Sequence, residues 1–285
     1  LHLCDRRQRQ MCIRDRTEPC SPEADYGVFY IDSLTYQPMC GAGTLSVAKA
    51  LVETGMVKRV EPETKIVLET PTGLVTVYVK WENHMVASIN LENVPAFLYR
   101  KDLHIDLAGY DDVSVDIGYG GNFFVLADVH SLGLTITKDT VNLLRSLSKD
   151  ILAAANKVIK VAHPTNPAIN YLDQVLFCQN VPEEDGGYLA QCIFGDAQAD
   201  ISPCGTGTST RLAQRYFRGL IGLEETFVQK SVCGGAFHAK GLRETTLGGV
   251  PAIVPYVSCS DVHITGFNHL IVEENDKLKN GFVSW

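Results

Sequence analysis

Apolar and polar positions alternate with a period of two along several short stretches of the chain. Val75, Val77 and Val79 interleave with Thr76, Tyr78 and Lys80, which predicts a strand with one core face and one wetter face. Lys65 to Thr70 and Leu74 to Trp81 flank the turn signal Pro71-Thr72-Gly73, so this pair reads as a hairpin. Apolar runs at Tyr26 to Ile31, Met85 to Leu91, Val113 to Tyr119 and Phe123 to Ala127 predict further strands, the last two joined at Gly120-Gly121-Asn122. The clearest helical period spans Lys138 to Ile159, where Val141, Leu144, Leu147, Ile151, Ala154 and Val158 form one apolar stripe. His163-Pro164-Thr165-Asn166-Pro167 stops it. Strand patterns resume at Tyr171 to Cys178, Tyr188 to Phe194, Thr226 to Val232, Ala236 to Leu242, Ala252 to Ser258 and Asp261 to Thr265.

One pattern occurs twice. Pro38-Met39-Cys40-Gly41-Ala42-Gly43-Thr44 and Ser202-Pro203-Cys204-Gly205-Thr206-Gly207-Thr208 open in nearly the same words. Leu45 to Thr54 and Ser209 to Arg218 follow them without an internal Pro or Gly, and Gly55 and Gly219 stand at equal distance beyond the cysteines. Each copy reads as a Cys-Gly turn, a short helix and a glycine stop. Few helices, many short strands and a repeat of half the chain predict an α+β protein with two similar lobes.

Composition narrows the class. The 285 residues are 45% hydrophobic and 20% charged, as in ordinary globular proteins, with room for two domains. Apolar runs such as Gly249 to Val257 are too short to span a bilayer. A net charge of −8 argues against nucleic-acid or anionic-membrane partners. Nine cysteines without paired zinc-type spacing, and no apolar leader, predict free thiols in a reducing cytoplasm. Residues 1–16 stand apart: Arg6 to Arg16 looks like the translation of a sequencing adapter, so this segment is expected to be non-native and the true start to be missing. The expected organisation is then a first lobe over 17–128, incomplete at its N-terminus, a second lobe over 129–265, and a tail, 266–285, returning to the first lobe.

The twin turns carry the chemistry. Thiol and thiolate are both accessible near neutral pH, so a cysteine can remove a proton from a carbon or return one. Cys40 and Cys204, each at a helix N-terminus, could work on opposite faces of one small molecule. The helix-end N–H groups beside Gly41, Gly43, Gly205 and Gly207 could hold its carboxylate. Cys178, Cys192, Cys233 and Cys259 lack such a setting and read as small buried apolar side chains. Neither loop has a phosphate-cradle ending, and Cys233…His238 and Cys259…His263 have no second half for a metal site.

These motifs, with Asp200 ahead of Cys204, Gly120-Gly121-Asn122-Phe123-Phe124 and Ile264-Thr265-Gly266-Phe267, resemble the proline racemase and hydroxyproline epimerase family. Matching segments run from Ser21 to Phe282. The resemblance implies the diaminopimelate-epimerase-like fold, in which each pseudo-symmetric lobe wraps a β-barrel around a central helix. It implies cofactor-independent inversion of the α-carbon of proline or 4-hydroxyproline, without pyridoxal phosphate, by Cys40 and Cys204 as acid and base. Gly41, Ala42, Gly205 and Thr206 would bind the carboxylate, Asp200 the ring nitrogen, and Phe194 would line the ring. A homodimer without metal is the assembly implied. Three features depart from the family. Ala42 stands where His is usual, Ile201 stands where Arg is usual, and the family's opening strands before Thr17 are missing. Related lyases that dehydrate trans-3-hydroxyproline carry Ser or Thr at the first cysteine, which this chain does not. A member that only binds ligand is the further alternative.

Overall fold

The computed structural model describes residues 13–32, 36–180, 187–264 and 274–275. Three α-helices, one short 3-10 turn (His130–Leu132) and fifteen strands form among them. In chain order these are β1 (Ile13–Thr17), β2 (Tyr26–Ile31), β3 (Tyr36–Gln37), α1 (Gly41–Glu53), β4 (Glu63–Thr70), β5 (Gly73–Glu82), β6 (Met85–Glu92), β7 (Phe97–Ile105), β8 (Val113–Tyr119) and β9 (Phe123–Asp128). Then follow α2 (Val141–Val158), β10 (Gln174–Asn180), β11 (Gly187–Phe194), β12 (Gln198–Ala199), α3 (Gly205–Phe217), β13 (Phe227–Lys230), β14 (Ala236–Leu247) and β15 (Val250–Cys259).

One hydrogen-bonded path, β1-β2-β4-β5-β6-β15-β14-β13-β11-β10-β9-β8-β7, runs through the whole molecule. Its first part curls over α1, which packs on β5 and β6 and buries Leu45, Ala48, Leu51 and Val52. The rest surrounds α3, which touches β7, β8, β9, β14 and β15. Ala96, just before β7, exchanges backbone hydrogen bonds with Ile253 of β15 at 2.8 and 2.9 Å, closing this part on itself. The result is the two-lobed α+β arrangement expected, with a helix of the repeat at the heart of each lobe. Helix α2 lies elsewhere, against β10 and β11, through Leu144, Leu147, Ile151 and Ala155.

Several expectations need correction. The lobe boundary was expected after Asp128, yet β7, β8 and β9 pack on α3 and β9 pairs in parallel with β10, so residues 97–128 fall with the second lobe. Residues 1–12 lie outside the described residues, and Ile13–Thr17 pair with β2 in antiparallel register. Asp261 to Ile264 form no strand, and Thr265 and nearly all of 266–285 lie outside the described residues. Cys178, Cys192 and Cys259 are buried as expected, but Cys233 is exposed. No described helix is long and apolar enough to cross a membrane.

Candidate active site

The two repeat helices begin alike. Cys40 is the N-cap of α1 and Cys204 that of α3, and each Sγ accepts an N–H at 3.3 Å, from Gly43 and Gly207 respectively. Thr44 and Thr208 each donate a hydroxyl to the cysteine carbonyl at 2.8 Å. Gly55 and Gly219 follow the helices at φ +72° and +70°, the left-handed stop that glycine permits. The caps differ in backbone: φ is −137° at Cys40 and +64° at Cys204. A non-glycine residue held at positive φ marks strain, which gathers at functional sites.

The helices meet end to end. A Cβ on Gly41 would lie 2.7 Å from Gly205 Cα and 3.2 Å from Thr206 N, and one on Gly205 would lie 2.7 Å from Gly41 Cα and 3.2 Å from Ala42 N. The distances repeat in both directions, so a local two-fold axis passes between the glycines. At this joint the N–H groups of Gly41, Ala42, Gly205 and Thr206 find no acceptor among the described residues. These are the donors that a helix start leaves open, and two positive dipole ends converge on them.

The corner Gly120-Gly121-Asn122 braces both loops. Asn122 Nδ2 donates to Met39 O at 2.8 Å and to Thr206 Oγ1 at 3.5 Å. Asn93 Nδ2 holds the corner from behind, donating to Gly120 O at 3.0 Å and Ser209 Oγ at 2.9 Å. A Cβ on Gly120 would lie 2.6 Å from Thr206 O. The sequence marked this segment as a corner between two strands, and its clamp on both cysteine loops appears only in three dimensions.

On the α3 side, Cys192, Phe194 and Cys204 share one small apolar cluster with Leu126 and Leu176. One Asp200 carboxylate oxygen, Cys192 Sγ and Cys204 Sγ all lie within 4.8 Å of one another. Among the described residues these are the side chains close enough to share a soft cation. The Asp200 turn is well anchored: Asp200 N–H donates to Cys192 O at 2.9 Å, Ser202 N–H to Asp200 Oδ1 at 2.8 Å, and Cys204 N–H to Ser202 Oγ at 3.0 Å. The Cys192 thiol is pushed well above its ordinary pKa, first by its hydrogen bond to Cys204 and then by burial. Sequence reasoning took Cys192 for core filling; its one available signal was that it shares a strand face with Phe194.

A second acidic group lies where the lobes face each other. Gln37 Nε2 donates to Asp32 Oδ2 at 2.7 Å, and Gln174 Nε2 to Gln37 Oε1 at 2.8 Å. Burial, then the neighbouring Asp32 charge, pushes the Asp173 carboxyl up to about 6. A Cβ on Gly195, beside Phe194, would lie 3.2 Å from Asp32 Oδ2. One hollow of about 240 Å³ opens further along α3 between Asp116, Arg211, Arg215 and Arg218, and includes neither Cys40 nor Cys204.

A family model described as proline racemase matches residues 8–283. The chain belongs to the proline racemase family. The proline racemase of Clostridioides difficile is 38% identical over 94% of this chain and 79% of its own length. The trans-3-hydroxy-L-proline dehydratase of Burkholderia cenocepacia is 38% identical over the same shares. A crystal structure of a hydroxyproline epimerase from Agrobacterium vitis with bound trans-4-OH-L-proline superposes with a TM-score of 0.85 at 29% identity, over 95% of this chain and 77% of that one.

The two substitutions are visible in place. Ala42 offers only a methyl group at the joint, while its carbonyl accepts Ser46 Oγ at 2.9 Å. Ile201 is exposed, and Ser231 Oγ donates to its carbonyl at 2.9 Å.

Proposed function

We propose that this protein inverts the α-carbon of proline or 4-hydroxyproline through a two-thiol route without pyridoxal phosphate. The observation that carries this is the joint itself: four N–H groups without an acceptor among the described residues, set between two cysteine-capped helices related by a local two-fold. A carboxylate seated there receives hydrogen bonds from both helix ends. Its α-carbon then lies between Cys40 and Cys204. One thiolate removes the α-proton, the developing charge spreads into the carboxylate where the N–H groups oppose it, and the other thiol returns a proton to the far face. Asp200 is suited to the ring nitrogen because its turn is fixed by Cys192 and Ser202. Phe194 supplies an apolar wall for the ring. The small imino acid is the partner this arrangement fits.

The test follows α-proton exchange into solvent deuterium together with chiral separation of the product. Cys40→Ser and Cys204→Ser should each lower inversion by at least about 100-fold, the scale of one general acid or base. A single variant that still inverts at the parent rate overturns the two-thiol route. The 38% identity to a dehydratase favours one second reading, loss of a β-hydroxyl from trans-3-hydroxyproline. A pyrroline product from that substrate, with no inversion of proline or 4-hydroxyproline, decides for the lyase. Retention of both cysteines supports the epimerase.

A further inference from the structure

Cys192 has no part in the proposed proton transfer, yet its sulfur faces the sulfur of Cys204. The two sulfurs lie within 4.8 Å of each other, both thiols are buried, and both belong to the same apolar cluster. They come from different elements: Cys192 sits on β11 and Cys204 caps α3. The turn between them is tied at Cys192 O by the Asp200 N–H and at Cys204 N by Ser202 Oγ, so the pair is held, not drifting together by chance.

We infer that Cys192 is a resolving thiol for Cys204, and that peroxide converts the pair into a reversible disulfide that switches the enzyme off. Cys204 is the partner set up to react first, because the Gly207 N–H points at its sulfur from the helix end. The Cys204 thiolate attacks one peroxide oxygen; the S–O bond forms, the O–O bond breaks, and the leaving hydroxide takes a proton to become water. The Cys192 sulfur then attacks the Cys204 sulfur. The S–S bond forms, the S–O bond breaks, and hydroxide departs with the Cys192 proton as a second water. Two thiols and one peroxide give one disulfide and two waters. The Asp200 carboxylate, within 4.8 Å of both sulfurs, is placed to receive the Cys192 proton on the way. Without such a neighbour, a sulfenic acid goes on to sulfinic acid, which thiols do not reverse.

The pairing stands on sulfur geometry alone, while its effect on turnover rests on the proposed function. The experiment separates the two. The full chain is treated with stoichiometric hydrogen peroxide, alkylated, digested without reductant and read by mass spectrometry, with α-proton exchange measured on the same samples. The expected product is a Cys192–Cys204 cross-linked peptide, with Cys40 still alkylated, and dithiothreitol restores both thiols. In Cys192→Ala the cross-link is absent, and a second equivalent of peroxide, consumed in the step from sulfenic to sulfinic acid, leaves Cys204 as sulfinic acid that dithiothreitol does not reverse. A Cys40–Cys204 cross-link, or sulfinic Cys204 with alkylated Cys192 in the parent protein, overturns the inference. If the variant does not fold, the parent digest decides alone. A cross-link in a protein with no exchange activity before oxidation keeps the thiol pair and removes the proposed function.

Discussion

A methyl group added at Gly205 would land on the backbone of Gly41, 2.7 Å from its Cα, where no side chain can swing aside. Gly205→Ala should therefore destabilise by about 1–3 kcal/mol, as overpacking does, and should lower inversion by about 100-fold or more through displacement of the joint. Gly222→Ala is the control, since a Cβ there meets only Glu225 Oε2 at 3.7 Å. Thermal denaturation and exchange rates of the two variants check both effects. At this scale the sequence was most readable where it repeats itself. Cys40, Cys204 and their glycines could be found because the same turn is written twice. Cys192 could not, because a lone cysteine on a strand looks the same whether its neighbour is a leucine or a second thiol. Asn122 was half visible: its corner was readable, its bond to Met39 was not.

Helix α3 shows how an element can be polar and central at once. Residues 205–213 are all buried, and Thr208, Ser209 and Thr210 satisfy their hydroxyls on carbonyls of their own helix. Its far end is tied to β8 by Asp116, which accepts from Gln214 and Arg218. Burial pushes the Asp116 carboxyl up, but the hydrogen bonds from Arg218 and Gln214 outweigh it and hold the group below its ordinary range. A depressed carboxylate contributes stability above its unfolded pKa, and that contribution disappears as pH falls through the folded value. Arg218→Met should thus cost about 2–3 kcal/mol at pH 7, because a buried carboxylate loses its partner. The deficit should shrink in acid, as read from denaturant unfolding at several pH values. Strand β7 escaped the sequence reading for a related reason. Arg100, Lys101 and Asp102 are exposed, the register against β8 shifts twice, and Asp102 has φ +49°, so no period-two pattern survives. Asp261 to Ile264 erred the other way, with suggestive residues but no partner strand.

Across the whole molecule, the repeat announced two lobes, but closure of the second was hidden. It depends on Ala96 meeting Ile253, a contact between distant parts of the chain that no local pattern encodes. The lobes also share a polar seam, where Asp32 and Gln37 of the first face Asp173, Gln174 and Gly195 of the second. Asp173, raised to about 6, favours the folded state only when protonated, so stability should fall as pH rises from about 4 to about 6. Asp173→Asn should therefore stabilise the fold at pH 7 by an amount on the order of 2 kcal/mol, seen as a higher melting temperature. The gain should vanish near pH 4, and a melting series across pH tests it. A variant no more stable than the parent at pH 7 removes this account of the seam.

Two positive helix ends pressed together repel one another until something negative sits between them. The meeting of the two helix ends is thus electrostatically frustrated, and a small planar anion seated there relieves that tension whether or not it can react. Buffers are then not neutral bystanders: if the proposed function holds, acetate or formate should compete with the imino acid for the same seat, and kinetics recorded in them will understate affinity.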